Sequence, residues 1–407
     1  MRSSMCLAPA ALLLCGCSAT TETPAAAPRI STGSFIYAWS ADADGADSDF
    51  LAVIDAEAES STYGKVVASL PVGVRKTNAH HTEPEMNESG FLLANGFEAG
   101  TTFRFDLRQP TQPRLGPPLP VPAPFEHAHS FLRLDDGRVL ATYQYQGADH
   151  ASPGGIVEYD QHGKVLRTAN AADPASEEFV RPYSLAASPK VDRVITTGND
   201  MHKAGSNRAI QIWRLSTLSL VATVILPAGP RGDENVNSYE PRFVDDGRTA
   251  LVSTRSCGLY KLVDLESSRP TARLVHTFDD SRCFVPVVIG NFWLQALGTK
   301  PEIVVVDVTD PDRPREVSRT HLKPGDVPHW LSASEDGTRV VITGFEGLDK
   351  RLLIANFDRA AGTLVIDEGF GDGGLDGVSF ERADWPHGKT GAAIPHGSVF
   401  SRPVRRR

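Results

Sequence analysis

A chain of 407 residues with 41 basic against 50 acidic side chains carries a formal net charge of −9 and is 41 % hydrophobic. That size suits one large core or two domains. Apart from the terminal Arg405–Arg407 there is no basic cluster, which argues against a nucleic-acid partner, and no segment after the leader is apolar for long enough to cross a bilayer as a helix.

The first element is a targeting segment. Arg2 supplies a positive charge, and Leu7 to Leu14 form an apolar stretch too short to span a bilayer. It ends in Leu14-Cys15-Gly16-Cys17, which resembles a bacterial lipoprotein box and makes Cys17 the expected lipidation site. The competing reading is an ordinary secretory signal cut near Ala19. Residues 1–17 are thus expected to be a signal peptide, and residues 18–32, rich in Ala, Thr and Pro, a disordered tether. Ser18 after the cysteine resembles an outer-membrane sorting pattern. The expected location is the periplasmic face of a membrane, reached through a lipid anchor and no spanning helix. Three of the five cysteines lie in the leader. Cys257 and Cys283, in an oxidising compartment, either pair or stay as two buried thiols, and the sequence leaves both open.

From Phe35 onward the chain reads as strand after short strand: FLAVIDA (50–56), GFLLANGF (90–97), RVLATYQY (138–145), RVITTG (193–198), TALVST (249–254), EIVVVDV (302–308) and RVVITG (339–344) are examples. They are rich in Val, Ile, Thr and aromatics and bounded by Gly, Pro, Asp and Asn. A repeat underlies them. Each unit runs from a start residue through an apolar strand to an Asp-Gly type hairpin, as at Asp135-Asp136-Gly137, Asp245-Asp246-Gly247 and Asp336-Gly337, and then to three further strands. Starts fall near His81, His129, Tyr183, Tyr239, Phe284 and His329, a spacing that suits propeller blades of ~40–50 residues. With FIYAW and FLAVIDA at the front and GSVFS (397–401) to close the ring, the pattern predicts an all-β, seven-bladed β-propeller over residues 33–404. A ring leaves only short, protected strand edges.

In such a ring the first strand of each blade lines the channel, and its first residues lie at one mouth. His129 and His329 each lie eight residues before a turn glycine, Gly137 or Gly337, and His81 lies nine before Gly90. These three are expected to face one another, with His80, His127 and His396 as further candidate ligands. Alternation along a strand puts His127 and His129 on one face and denies a shared direction to His80 and His81. Imidazoles suit copper, zinc, iron and nickel, and several at an open mouth would leave room for water or substrate. Tyr239 and Glu240, at the same level by register, are the candidates for orienting substrate or moving protons. Tyr183 and either Phe284 or Pro286 share that level. His150, His162, His202, His276 and His321 read as solvated loop or outer-strand residues, and His387 as support for a loop. Calcium, which would want Asp, Asn and Glu at the start positions, fits poorly, and with it a lactonase-like hydrolase.

The stretches HHTEPEMNESGFLLANGF, FEHAHSFLRLDDGRVLAT, QIWRLSTL, DVTDPDRPREVSR and VPHWLSASEDGTRVVIT resemble the selenium-binding protein family, whose members include methanethiol oxidases. The resemblance runs from about Phe35 to Ser401. It implies a seven-bladed propeller, copper as cofactor, and a small thiol with dioxygen as substrates. It also implies a copper site drawn from His81, His129 and His329 with His80, His127 and His396. A non-catalytic metal- or selenium-binding propeller lipoprotein is the alternative. The chain departs from the eukaryotic members at Thr82–Gly90, where their cysteine-rich stretch after the paired histidines has no counterpart.

Overall fold

The computed structural model describes Met1 and residues 34–402, other than 177, 178, 204, 206, 245, 246, 349 and 373–375. Cys17, the leader, the tether and the arginine tail lie outside the described residues, as do Asp245 and Asp246 of one predicted turn. Among the described residues every regular element is a strand. They form seven antiparallel sheets of four strands, six of them in sequence order from the axis outward and one closed by the last strand of the chain, and the sheet of 328–366 gains a fifth strand, Val378–Ser379. This is the seven-bladed β-propeller that the repeat predicts.

Blade 1 joins both ends of the described chain. Its three outer strands are Phe35–Asp42, Phe50–Asp55 and Val66–Pro71, and its innermost is Ala393–Phe400. The closing pair is antiparallel, with Ile36 opposite Phe400 and Ala38 opposite Ser398. Blades 2 to 7 follow in order over 79–115, 125–170, 182–225, 238–277, 287–321 and 328–366. Their innermost strands are Ala79–Thr82, Phe125–Arg133, Pro182–Ser188, Ser238–Val244, Val287–Ile289 and Pro328–Ala333. The predicted hairpin glycines Gly137 and Gly337 have φ of 85° and 67°, the left-handed region that a side chain resists.

Apolar side chains of adjacent blades interdigitate between the sheets, with Trp39, Trp213 and Trp293 fully buried there. A polar device fixes the blades against one another nearer the axis. A second-strand side chain reaches across to a carbonyl on the next blade's innermost strand: Asn95 to Ala128 at 3.0 Å, Thr142 to Tyr183 at 2.7 Å, Thr197 to Tyr239 at 2.6 Å and Thr343 to His396 at 2.8 Å. Buried and repeated, these bonds set the height at which the innermost strands of blades 3, 4, 5 and 1 line the channel. The pairing of Cys257 with Cys283, left open by the sequence, is a disulfide with Cα atoms 5.1 Å apart.

Candidate metal centre

Five histidines meet at the start end of the innermost strands. His80 and His81 come from blade 2, His129 from blade 3, His329 from blade 7 and His396 from the closing strand of blade 1. Ring centroids are 4.0 Å apart for His80 and His396, 4.3 Å for His81 and His129, 4.9 Å for His80 and His129, and 4.5 Å for His329 and His396. One donor nitrogen from each of His80, His81 and His129 lies within 4.8 Å of the others.

His80 and His81 converge although regular alternation would part them. The register slips between Ala79 and Thr82, and the two rings stack at 4.6 Å and 11°. Gly397 brings the closing strand near enough to complete the set. A Cβ there would meet the Thr82 nitrogen at 2.6 Å and the His80 carbonyl oxygen at 2.9 Å. His396 therefore sits beside His80 because its neighbour has no side chain.

The expectation of an open mouth does not hold. All five histidines are buried, none more than 4 % exposed, and an aromatic wall surrounds them. Tyr183 lies 3.8 Å from His129, Phe284 4.2 Å from His329, Phe345 4.5 Å from His396 and Trp330 4.9 Å from His81. Burial pushes His80 down to about 3, and burial, followed by the repulsion that a proton on one ring would exert on the next, holds His81, His129, His329 and His396 well below the usual imidazole range, with Arg255 and Arg282 adding to it at His329. All five are neutral at ordinary pH, so each offers a lone pair.

Two of those lone pairs are aimed. The His129 Nδ1 is 2.9 Å from the Tyr183 carbonyl, an acceptor only, so Nδ1 carries the proton and Nε2 is bare. The His81 Nδ1 is 2.9 Å from the Ser130 Oγ, which points its Nε2 inward as well. Eight ring nitrogens have no hydrogen-bond partner among the described residues: Nε2 of His81 and His129, and both nitrogens of His80, His329 and His396. Orphaned polar atoms at about 1–3 kcal/mol each would exhaust the roughly 5–15 kcal/mol by which a domain is stable. The donor set and its unmet demand fit a cation that takes imidazole nitrogen.

The remaining candidates lie elsewhere. His127 does not join the five. Its backbone is left-handed, with φ of 57°, and the strand is bulged between Ala128 and Phe131, so the alternation that would have put it beside His129 is broken. It meets His150 and His202 instead, at ring distances of 5.1 Å each, so these two are not simply solvated. Tyr239 stacks on Tyr183 at 4.6 Å and reaches the centre through it. Glu240 is buried, accepts hydrogen bonds from Ser184 Oγ at 2.7 Å and Arg242 at 2.8 Å, and keeps one oxygen without a partner among the described residues. Burial raises its carboxyl. Arg242 in turn lines a cavity of about 490 Å³ at the far end of the innermost strands, with Glu85, Met86, Phe243 and Arg402. His387 bonds Ser69 Oγ at 2.6 Å, away from the channel.

Sequence reasoning missed Ser130, Gly397, Phe345 and Asn95. The first two adjoin candidate histidines, a signal that was available. Phe345 and Asn95 arrive from second-strand ends, which the start-residue pattern does not report.

Fold and site together define a seven-bladed propeller with a buried polyhistidine centre at one end of its channel. No family model matches the chain. It is 25 % identical over 355 residues to a methanethiol oxidase of Hyphomicrobium sp, spanning 80 % of this chain and 77 % of that one. A methanethiol oxidase of Ruegeria pomeroyi is 28 % identical over 141 residues, 33 % of this chain and 32 % of its own. A hypothetical selenium-binding protein from Sulfolobus tokodaii superposes with a TM-score of 0.70 at 17 % identity, covering 91 % of this chain and 94 % of that one. The periplasmic gluconolactonase of Pseudomonas aeruginosa gives 0.62 at 14 % identity, with 90 % and 98 % covered. The two solved structures bear on the fold alone. The chain resembles the selenium-binding protein and methanethiol oxidase family, as its motifs indicate.

Proposed function

We propose that the chain is a copper-dependent oxidase of small thiols, converting methanethiol, dioxygen and water to formaldehyde, hydrogen sulfide and hydrogen peroxide. The observation that carries this reading is the set of five buried neutral imidazoles, eight of whose ring nitrogens lack partners among the described residues. The relatives named methanethiol oxidase support the substrate class. Copper, when bound by these histidines, supplies a soft Lewis acid for sulfur and a redox couple toward dioxygen.

The chain's own residues prepare the place. Ser130 and the Tyr183 carbonyl hold His81 and His129 with Nε2 inward. Tyr183, Phe284, Phe345 and Trp330 exclude bulk water, which strengthens every polar interaction inside. Glu240, with a raised carboxyl and a free oxygen, is suited to hold a proton beside the stacked tyrosines, and Arg242 links it to the far cavity. The proposal includes export, with a lipid anchor at Cys17 on the periplasmic face of a membrane.

The test is copper content followed by oxygen uptake with methanethiol and assay of sulfide and peroxide. Copper bound without uptake for any small thiol would remove the oxidase reading. It would leave a non-catalytic metal- or selenium-binding propeller, which the burial of all five histidines favours over an open active site. No transition metal bound, even after reconstitution, would remove the centre itself.

A further inference from the structure

A second group of imidazoles lies at the same end of the channel, outside the five-histidine centre. His127 stands at the start of the innermost strand of blade 3. His150 is on the loop after Val139–Gln146 of the same blade, and His202 on the loop after Arg193–Gly198 of blade 4. One donor atom from each of Glu126, His127 and His150 lies within 4.8 Å of the others. The His202 ring is 5.1 Å from that of His127 and 5.2 Å from that of His150, and its Nε2 is 3.3 Å from the Glu98 carboxylate. Five side chains from three blades thus converge, two of them, His150 and His202, read from the sequence alone as solvated.

Three features show that the group is held in place. The His127 Nδ1 is 2.7 Å from the Phe97 carbonyl, so it carries the proton and leaves Nε2 as a bare donor, the arrangement that ligating histidines use. His127 and His150 both have left-handed backbones, with φ of 57° and 53°, which costs a side-chain-bearing residue about 1–2 kcal/mol each. Tyr145 braces the loops: its ring stacks on His150 at 4.1 Å and on His202 at 5.1 Å, and its hydroxyl donates to Asp200 at 2.6 Å. The Phe97 ring divides this group from the buried centre, 5.2 Å from His127 and 5.9 Å from His129.

We propose that this group is a second, solvent-accessible site for a divalent first-row transition ion, zinc or copper(II), held by Glu126, His127 and His150 with His202 and Glu98 at its edge. Nitrogen donors with a carboxylate select this class and disfavour calcium and magnesium, which want oxygen alone. The side chains of His150 and His202 are 30 % and 28 % exposed, against at most 4 % for the buried five. An ion here exchanges with solvent and chelators, whereas one in the buried centre is enclosed.

The full-length chain, stripped by chelator, is titrated by calorimetry with zinc and separately with copper(II), and bound metal is counted after gel filtration. Two double variants separate the sites, His150→Ala/His202→Ala and His80→Ala/His396→Ala, with thermal melting to verify folding and Glu126→Gln as a milder probe. The His80→Ala/His396→Ala protein retains one ion that a chelator removes quickly. The His150→Ala/His202→Ala protein loses that ion or binds it more weakly by about tenfold or more, and Glu126→Gln weakens it too. Unchanged stoichiometry and affinity in His150→Ala/His202→Ala would overturn the proposal and reduce the group to histidine–carboxylate pairs. Because the ion is read in a protein whose buried centre has been altered, failure of the thiol-oxidase reading leaves this result standing.

Discussion

Lowering the pH should unfold the metal-free protein, and the buried histidines set the scale. An unfolded imidazole titrates near 6.5, whereas burial holds His80 near 3 in the folded chain. Between those values the unfolded chain binds a proton that the folded chain refuses. Stability is therefore fully present above about pH 6.5 and is lost as pH falls below it. For His80 alone the loss is about 1.4 kcal/mol at pH 5.5 and about 2 kcal/mol at pH 5. His81, His129, His329 and His396 are shifted the same way by the same burial and add in the same sense. Urea unfolding of the metal-free chain, followed by tryptophan fluorescence from pH 8 to pH 5, reads the effect directly. His80→Leu should remove about 2 kcal/mol of the difference between pH 7.5 and pH 5. A metal-free protein equally stable at both values, or a His80→Leu variant with an unchanged slope, would refute the reasoning.

Gly397→Ala should push the closing strand off the backbone at His80 and Thr82, lowering metal affinity of the buried centre more than thermal stability; metal titration beside a melting curve checks it. Arg133→Met leaves Glu83 buried with only its bond from the Leu93 N–H, and should cost about 3–5 kcal/mol in urea unfolding. Adding Glu83→Gln should recover much of that loss. Removing the Cys257–Cys283 bond, with a separation of 26 residues, should cost about 3.5 kcal/mol on the chain-entropy account, visible as unfolding at lower urea in Cys257→Ala/Cys283→Ala. If Glu240 moves protons for the oxidase, Glu240→Gln should lower kcat about 100-fold or more with copper content unchanged.

The ring and its count were legible because strand alternation and Asp-Gly turns are local signals that survive in single residues. Register carried His81, His129 and His329 to one level, and His396 to a strand that closes the ring. It failed where the backbone departs from regular alternation. The slip at His80 brings together two rings that a straight strand would separate, and the bulge at His127 sends away a ring that it would have included. His150 and His202 were read as solvated because loops carry no period, although Tyr145 organises both. The enclosure of the centre depends on Trp330, on the innermost strand of blade 7, and Phe345, just past the end of its second strand, and no pattern along one strand encodes such a wall.

The closing strand has a temporal consequence. His396 belongs to the last strand of the ring, and its partners His80 and His81 are made more than three hundred residues earlier. During synthesis the early histidines exist without it, and only ring closure brings it to within 4.0 Å of His80. A complete set of nitrogens therefore certifies a complete fold. An ion that needs His396 is captured after assembly, so metal retention would sort finished molecules from truncated or misclosed ones.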